Sequence, residues 1–231
     1  MLVRKLTRLA GSSPEEKLPA PMRKVSGIDV ADTPLVTRAM EIASTHMPPY
    51  LFNHVMRSWL FAAVIADERG QPHDAEVLAV SSLLHDIGLV EEFSGPLRFE
   101  VEGANFAHEL AVGFDVDERR AQLIWDSIAL NSTPSICLHK EPEASLCALG
   151  VGLDWGGWGY ETVPAAVRGR VLADYPRLDM KRGFARDVCA ICESRPETTY
   201  DNFARDFGAR FVPGYQQKSM VDVLFDAPFD E

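Results

Sequence analysis

The chain has 231 residues, 46% of them hydrophobic and 25% charged, enough apolar material for one globular domain with a single core and a tight fit for two. Thirty-four acidic residues against 23 basic ones leave a formal charge of −11, a field that repels phosphate backbones and anionic lipid surfaces and argues against nucleic acid as a partner. No apolar run reaches the roughly 18 to 20 residues that span a bilayer, and the opening MLVRKLTRLAGSSPEEK lacks the apolar stretch of a secretory signal, so a soluble, cytoplasmic protein without a membrane partner is expected.

Residues 1–30 mix Pro, Ser, Lys and Glu without a helical or alternating period and are expected to form an extended lead-in. Residues 31–231 then form the folded domain. From Thr33 onward the apolar spacing is helical: Leu35, Met40, Ile42 and Ala43, next Val55, Trp59, Leu60, Ala63 and Val64, then Val77, Val80, Leu83 and Leu84. Three helices are expected before residue 90. After the polar stretch EEFSGPLRFEVEG, a helix near 103–112 and another from Asp117 to Leu130 follow, and Pro142 and Pro164 each head a further helix. KRGFARDVCAICES and PETTYDNFARDFGARF both carry helical periodicity. No alternating strand pattern stands out, so the expectation is an all-α bundle of eight or nine helices.

The chemistry concentrates in LFNHVMRSWLFAAVIADERG and DAEVLAVSSLLHDIGL. His54 lies near the start of one amphipathic helix, and the pair His85-Asp86 closes a later, very apolar one. A carboxylate beneath Val77, Leu83 and Leu84 is costly to bury unless a cation or strong donors accompany it. Imidazole and carboxylate together suit zinc, iron, manganese or a similar cation.

A His, then a His-Asp dyad, then a distant Asp on a later helix is the pattern of the HD superfamily of metal-dependent hydrolases, and His54, His85-Asp86 and Asp154 resemble it in order and spacing. The blocks LFNHVMRSWLFA, LLHDIGL, RFEVEGANFA, IWDSIAL and GVGLDWGGWG resemble more narrowly its cyanamide hydratase-like branch, over residues 30–200. The resemblance implies an HD-type helical bundle in which His54, His85, Asp86 and Asp154 hold one divalent metal, zinc first, with iron or manganese as alternatives. It implies an enzyme that hydrates or hydrolyses a small neutral nitrile-like or amide-like molecule through a metal-bound hydroxide, with cyanamide to urea as the example. Arg57, three residues after His54 on the same helix face, is placed to orient a ligand or substrate. Glu102, Asn131 and Thr133 are expected to line the pocket.

Two departures bear on substrate. Proteins of that branch tend to carry His-Thr after the IAL block, where this chain has Asn131-Ser132-Thr133, and an Asn cannot shuttle protons near neutral pH. Many phosphate-cleaving HD proteins have Lys three residues after the dyad Asp, where this chain has Leu89, which weakens the alternative of a nucleotide phosphohydrolase. A third alternative is a metal-binding regulatory HD domain without turnover.

Other candidates have plainer readings. His46, His73 and His139 lie near prolines or in loops and read as surface groups, while His108 is the one further histidine considered for a second metal. Cys189 and Cys192 share a helix face as small core fillers, and with Cys137 and Cys147 they are expected to be reduced thiols. Trp155 and Trp158 serve equally as pocket wall or as core. The Arg-containing helices near the C-terminus are compatible with a homo-oligomer and with a monomer alike.

Overall fold

The computed structural model describes residues 21–217 and 219–229. They form an all-α bundle with one small β-hairpin. In chain order the elements are β1 (Met22–Val25), β2 (Ile28–Ala31), α1 (Pro34–His46), α2 (Pro49–Arg69), α3 (Ala75–Leu84), α4 (Phe99–Gly113), α5 (Glu118–Ala129), α6 (Pro134–Cys137), α7 (Pro142–Gly156), α8 (Ala165–Asp174), α9 (Met180–Ser194), α10 (Ala204–Phe211) and α11 (Met220–Phe225). The two helices beyond the expected nine are short pieces of four and six residues, α6 and α11.

The lead-in expected over residues 1–30 falls mostly outside the described residues, and its end forms a hairpin where no strand was expected, beside the all-α bundle that was. β1 and β2 pair antiparallel with Val25 opposite Ile28. Ser26 and Gly27 between them both take positive φ, the primed turn whose twist suits a two-residue hairpin. Ile28 and Val30 point into the core and Asp29 outward, the period of two that marks a half-buried strand. A second correction falls on PETTYDNFARDFGARF. Only Ala204–Phe211 is α-helical; the start is a 3₁₀ turn, Pro196–Thr198, and the Asn202 side chain caps Ala204 N instead of continuing a helix.

Helix boundaries follow their capping chemistry. Thr33 opens α1 by accepting a hydrogen bond from Val36 N at 3.2 Å, and Asp74 opens α3 by accepting from Glu76 N and Val77 N at 3.1 and 3.2 Å. Proline at the first turn opens α2 and α7. α4 begins four residues before the expected 103, because Phe99 and Glu100 already belong to its buried stripe with Ala104, Ala107 and Ala111.

α3 is the centre of the bundle: every residue from Val77 to Leu84 is buried, with α1, α2, α5 and α7 around it. The broadest helix contact joins α2 and α7. It depends on Gly150, where an added Cβ would stand 2.2 Å from Ser58 O and 2.8 Å from Ala62 Cβ. One turn further along this close crossing, His54 of α2 faces Asp154 of α7. A similar approach fixes the end of α3. A Cβ on Gly88 would lie 2.0 Å from Phe99 O, so the turn after the dyad packs directly on the start of α4.

Candidate metal centre

α3 stops at Leu84, and His85 and Asp86 occupy the bend before the 3₁₀ turn Ile87–Leu89. That bend lets two consecutive residues turn the same way, which a continuing helix does not allow. Both face His54, which projects from the first third of α2. The three side chains are 0–4% exposed.

Their donor atoms converge. His54 Nε2 is 3.3 Å from His85 Nε2 and 3.4 Å from Asp86 Oδ2, and His85 Nε2 is 3.3 Å from Asp86 Oδ2. Tetrahedral ligands at bond lengths of about 2.0–2.1 Å sit roughly 3.3–3.4 Å apart, so the triangle has the edge length of three corners of a zinc-like site. Asp86 Oδ2 is buried and accepts no hydrogen bond, the expensive condition for a carboxylate that a cation removes. Among the described residues, His54, His85 and Asp86 form the one His, Cys, Asp and Glu group close enough to share an ion.

Each imidazole is held by its other nitrogen. His54 Nδ1 is 2.7 Å from Asp154 Oδ2, and His85 Nδ1 is 2.8 Å from Ser82 O. Neither partner has a proton to offer, so each Nδ1 is the donor and, in the neutral ring, each Nε2 keeps its lone pair for the centre. Two lone pairs facing each other at 3.3 Å repel unless a cation or a proton lies between them.

Burial sets the electrostatics, and neighbours correct it. Desolvation carries the His54 imidazole below its ordinary value against the pull of Asp154 and Asp86. It also opposes a charged His85, but Asp86 and the Ser82 carbonyl outweigh it and raise this ring. Burial works against ionised Asp86 and Asp154, yet His85 and His54 pull Asp86 below the usual carboxylate range, and His54 and Arg57 do so for Asp154.

Asp154, expected as a fourth ligand, stands one bond behind His54. Arg57 Nε donates to its Oδ1 at 2.7 Å and Arg57 Nη2 to its Oδ2 at 2.8 Å, a bidentate fork in which the Arg57 side chain is wholly buried. Arg177 adds a contact to Oδ1 at 3.3 Å and donates to the Asp154 carbonyl at 2.8 Å. Arg57 is tied down in turn by the Tyr175 and Pro176 carbonyls. The resulting chain, Arg57 to Asp154 to His54, is the arrangement by which a carboxylate fixes the orientation of a ligating histidine. No sequence signal assigned Arg177 to it.

A cavity of about 270 Å³ opens directly on the cluster, lined by His54, His85, Asp86, Phe99, Asn131, Ser132, Val151, Gly152, Trp155, Trp158, Phe184, Phe203 and Asp206. Trp155 and Trp158 therefore belong to the wall, packed edge to face with ring centroids 6.0 Å apart. Asn131 is part of the lining and holds Ile128 O through Nδ2 at 2.6 Å. Thr133 lies beyond the lining, at the start of α6, and its neighbour Ser132 takes the place on the wall. Glu102 likewise lies elsewhere, accepting from Leu97 N at 2.8 Å, while the buried carboxylate near the cavity is Glu100, which accepts from Ser132 Oγ at 2.6 Å. Glu100 falls on the buried stripe of α4 and Glu102 off it, a distinction helical spacing could have drawn.

Outside the cavity His46 and His108 form surface ion pairs and the cysteines are free thiols. His108 pairs with Glu118 at 3.4 Å and His46 with Glu92 at 2.6 Å. Cys192 is buried and donates to Ala204 O, and burial raises the thiols of Cys189 and Cys192. No helix among the described residues is long and apolar enough to cross a membrane.

Residues 51–147 match the family model described as HD domain. The match contains His54, His85 and Asp86 and ends before Asp154. It supports a place in the HD-domain superfamily, whose helical domains bind divalent metals and typically act as metal-dependent hydrolases. No curated protein matches the chain.

Proposed function

We propose, from the HD-domain match and the three converging donors, that the chain is a metal-dependent hydratase or hydrolase acting on a small neutral nitrile-like or amide-like molecule, with cyanamide to urea as the example. The observation that carries the substrate class is the cavity wall. Phe99, Trp155, Trp158, Phe184 and Phe203 line the cavity beside the cluster, and among the described residues neither Lys nor Arg does. A nucleotide would need converging cations to balance its phosphates. Arg57 is near, but it spends its donors on Asp154, on the Tyr175 and Pro176 carbonyls and on Met180 Sδ, and Arg177 turns Nη1 to Asp154. A volume of about 270 Å³ also suits a small molecule.

In this reading His54 and His85 through Nε2, and Asp86 through Oδ2, hold one divalent cation, zinc first, with iron and manganese as alternatives. When bound, such a cation lowers the pKa of a coordinated water and polarises the substrate's electrophilic group. Asp154 and Arg57 keep His54 in the tautomer and orientation that ligation needs. The aromatic wall excludes bulk water and presses the substrate toward the cluster, which raises the effective concentration of the reacting groups. Asn131 offers an amide to the substrate but no proton at neutral pH.

Elemental analysis of the purified protein, run beside an assay for urea and ammonia from cyanamide with and without added metal, tests the reading. About one equivalent of metal with metal-dependent product is expected for a one-metal site. Metal with turnover confined to phosphate esters would replace it with a phosphohydrolase, and metal without any turnover with a regulatory domain.

A further inference from the structure

The cavity has a second polar element besides the His54, His85 and Asp86 cluster, and its hydrogen-bond polarity is fixed from behind. Ser132 lines the cavity. Its Oγ lies 2.6 Å from Glu100 Oε1, and Glu100 is fully buried. Arg98 Nη2 donates to the same Oε1 at 2.9 Å, so Glu100 serves as an ion-paired carboxylate, a group that only accepts. A serine hydroxyl has one hydrogen, and a short charge-assisted bond to Glu100 consumes it. What remains for the cavity is the oxygen's lone pairs. Asp206, also in the lining, accepts as well, and among the described residues no Lys or Arg lines the cavity. Ser132 and Asp206 therefore ask for hydrogens, and the neutral donors among the lining residues are the Asn131 amide and the indoles of Trp155 and Trp158.

We infer that Ser132, with its hydroxyl turned by Glu100, is the specificity-determining acceptor of this cavity and selects substrates that carry an N–H group beside the electrophilic carbon, such as a primary amide or an amino-nitrile. The inference rests on the proposed function only in taking this cavity as the substrate site. Glu100 acts through Ser132 and is a positioning residue. The discrimination arises because a substrate whose nitrogen is fully alkylated leaves the desolvated Ser132 oxygen unpaired, and sites built around a hydrogen bond reject such analogues strongly.

The test is binding without turnover. Full-length protein, as purified and again after chelation of metal, is titrated with benzamide and with N,N-dimethylbenzamide by saturation-transfer NMR on the ring protons. Benzamide is expected to bind at least about tenfold more tightly. Ser132→Ala should cut that ratio to about twofold or less, and Ser132→Thr, which keeps the hydroxyl, should preserve it. Glu100→Gln should cut it as Ser132→Ala does, since its amide can donate to Ser132 and return the hydroxyl hydrogen to the cavity. Equal binding of the two probes by the native protein, no binding of benzamide, or a preference undiminished in Ser132→Ala overturns the inference; the last would mark simple steric exclusion of the methyl groups. Because no catalysis is read, the expected ratios beside a negative urea assay would sink the hydratase reading and leave the role of Ser132 standing.

Discussion

The two ends of the cavity differ in material and in where the chain supplies them. At the metal end, His54, His85 and Asp86 are almost completely buried, each imidazole is pinned through Nδ1, and all three lie within the stretch that matches the HD domain. The opposite wall is aromatic and graded from buried Phe184 to Trp158, which is 56% exposed, and Trp155, Trp158, Phe184, Phe203 and Asp206 all follow residue 147. The ligand geometry must be held within tenths of an ångström, which suits a central helix and its bend. The aromatic wall needs only shape and apolarity, which α7, α9 and the approach to α10 supply. The three metal-binding candidates therefore lie within the matched stretch, while the cavity wall draws on both parts of the chain, Phe99, Asn131 and Ser132 from inside the match and the tryptophans, Phe184, Phe203 and Asp206 from beyond it.

Breaking the metal end should have the largest consequence. His85→Ala removes one of three donors and leaves a buried carboxylate uncompensated, so metal affinity should fall by more than about 100-fold, beyond what loss of an orienting partner costs, with activity falling alongside. A competition titration against a chelator reads it. Next comes Asp154→Asn, which spares the three donors but removes the charge that fixes His54. Metal affinity should drop about 10- to 100-fold, while the Kd for benzamide in the chelated protein stays near the native value. An unchanged affinity would show that the α2–α7 contact orients His54 without Asp154.

Gly150→Ala probes the scaffold that joins the two halves. The added Cβ meets Ser58 O at 2.2 Å, and neither helix backbone can swing aside, so a loss of about 1–3 kcal/mol is expected in denaturant unfolding. The smallest effect lies at the head of α3. Asp74 is buried enough to disfavour its charge, but hydrogen bonds from Arg120 and from the α3 amides hold its carboxyl below its ordinary value of 3.8. A depressed folded-state pKa gives stability that is present above the unfolded value and lost as pH falls through the folded one. Asp74→Ala should therefore cost about 1 kcal/mol at neutral pH and progressively less below pH 4, read from urea midpoints across that range.

The metal end was legible because its ligands sit in two short blocks of uniform helical period, with the dyad's buried carboxylate calling for a cation. Arg57 could be placed beside His54 from spacing alone, but its target could not, since only the α2–α7 crossing at Gly150 brings Asp154 opposite. Phe184, Phe203 and Asp206 were not singled out, because residues from separate amphipathic segments meet only through tertiary packing. Glu100 was legible as well, since it falls on the buried stripe with Ala104, Ala107 and Ala111 and Glu102 does not. The hairpin escaped because its strands are four residues each and carry Arg23, Lys24 and Asp29, although Ser26-Gly27 between Val25 and Ile28 was the turn signal.

The most direct test of the central claim is metal stoichiometry of the full-length protein beside Asp86→Asn, measured by elemental analysis after exhaustive dialysis. About one equivalent in the native chain and under a tenth in the variant is the expected result if these three donors hold the ion. A native protein that retains no metal, or a variant that retains as much, would contradict the assignment of His54, His85 and Asp86 as the ligand set.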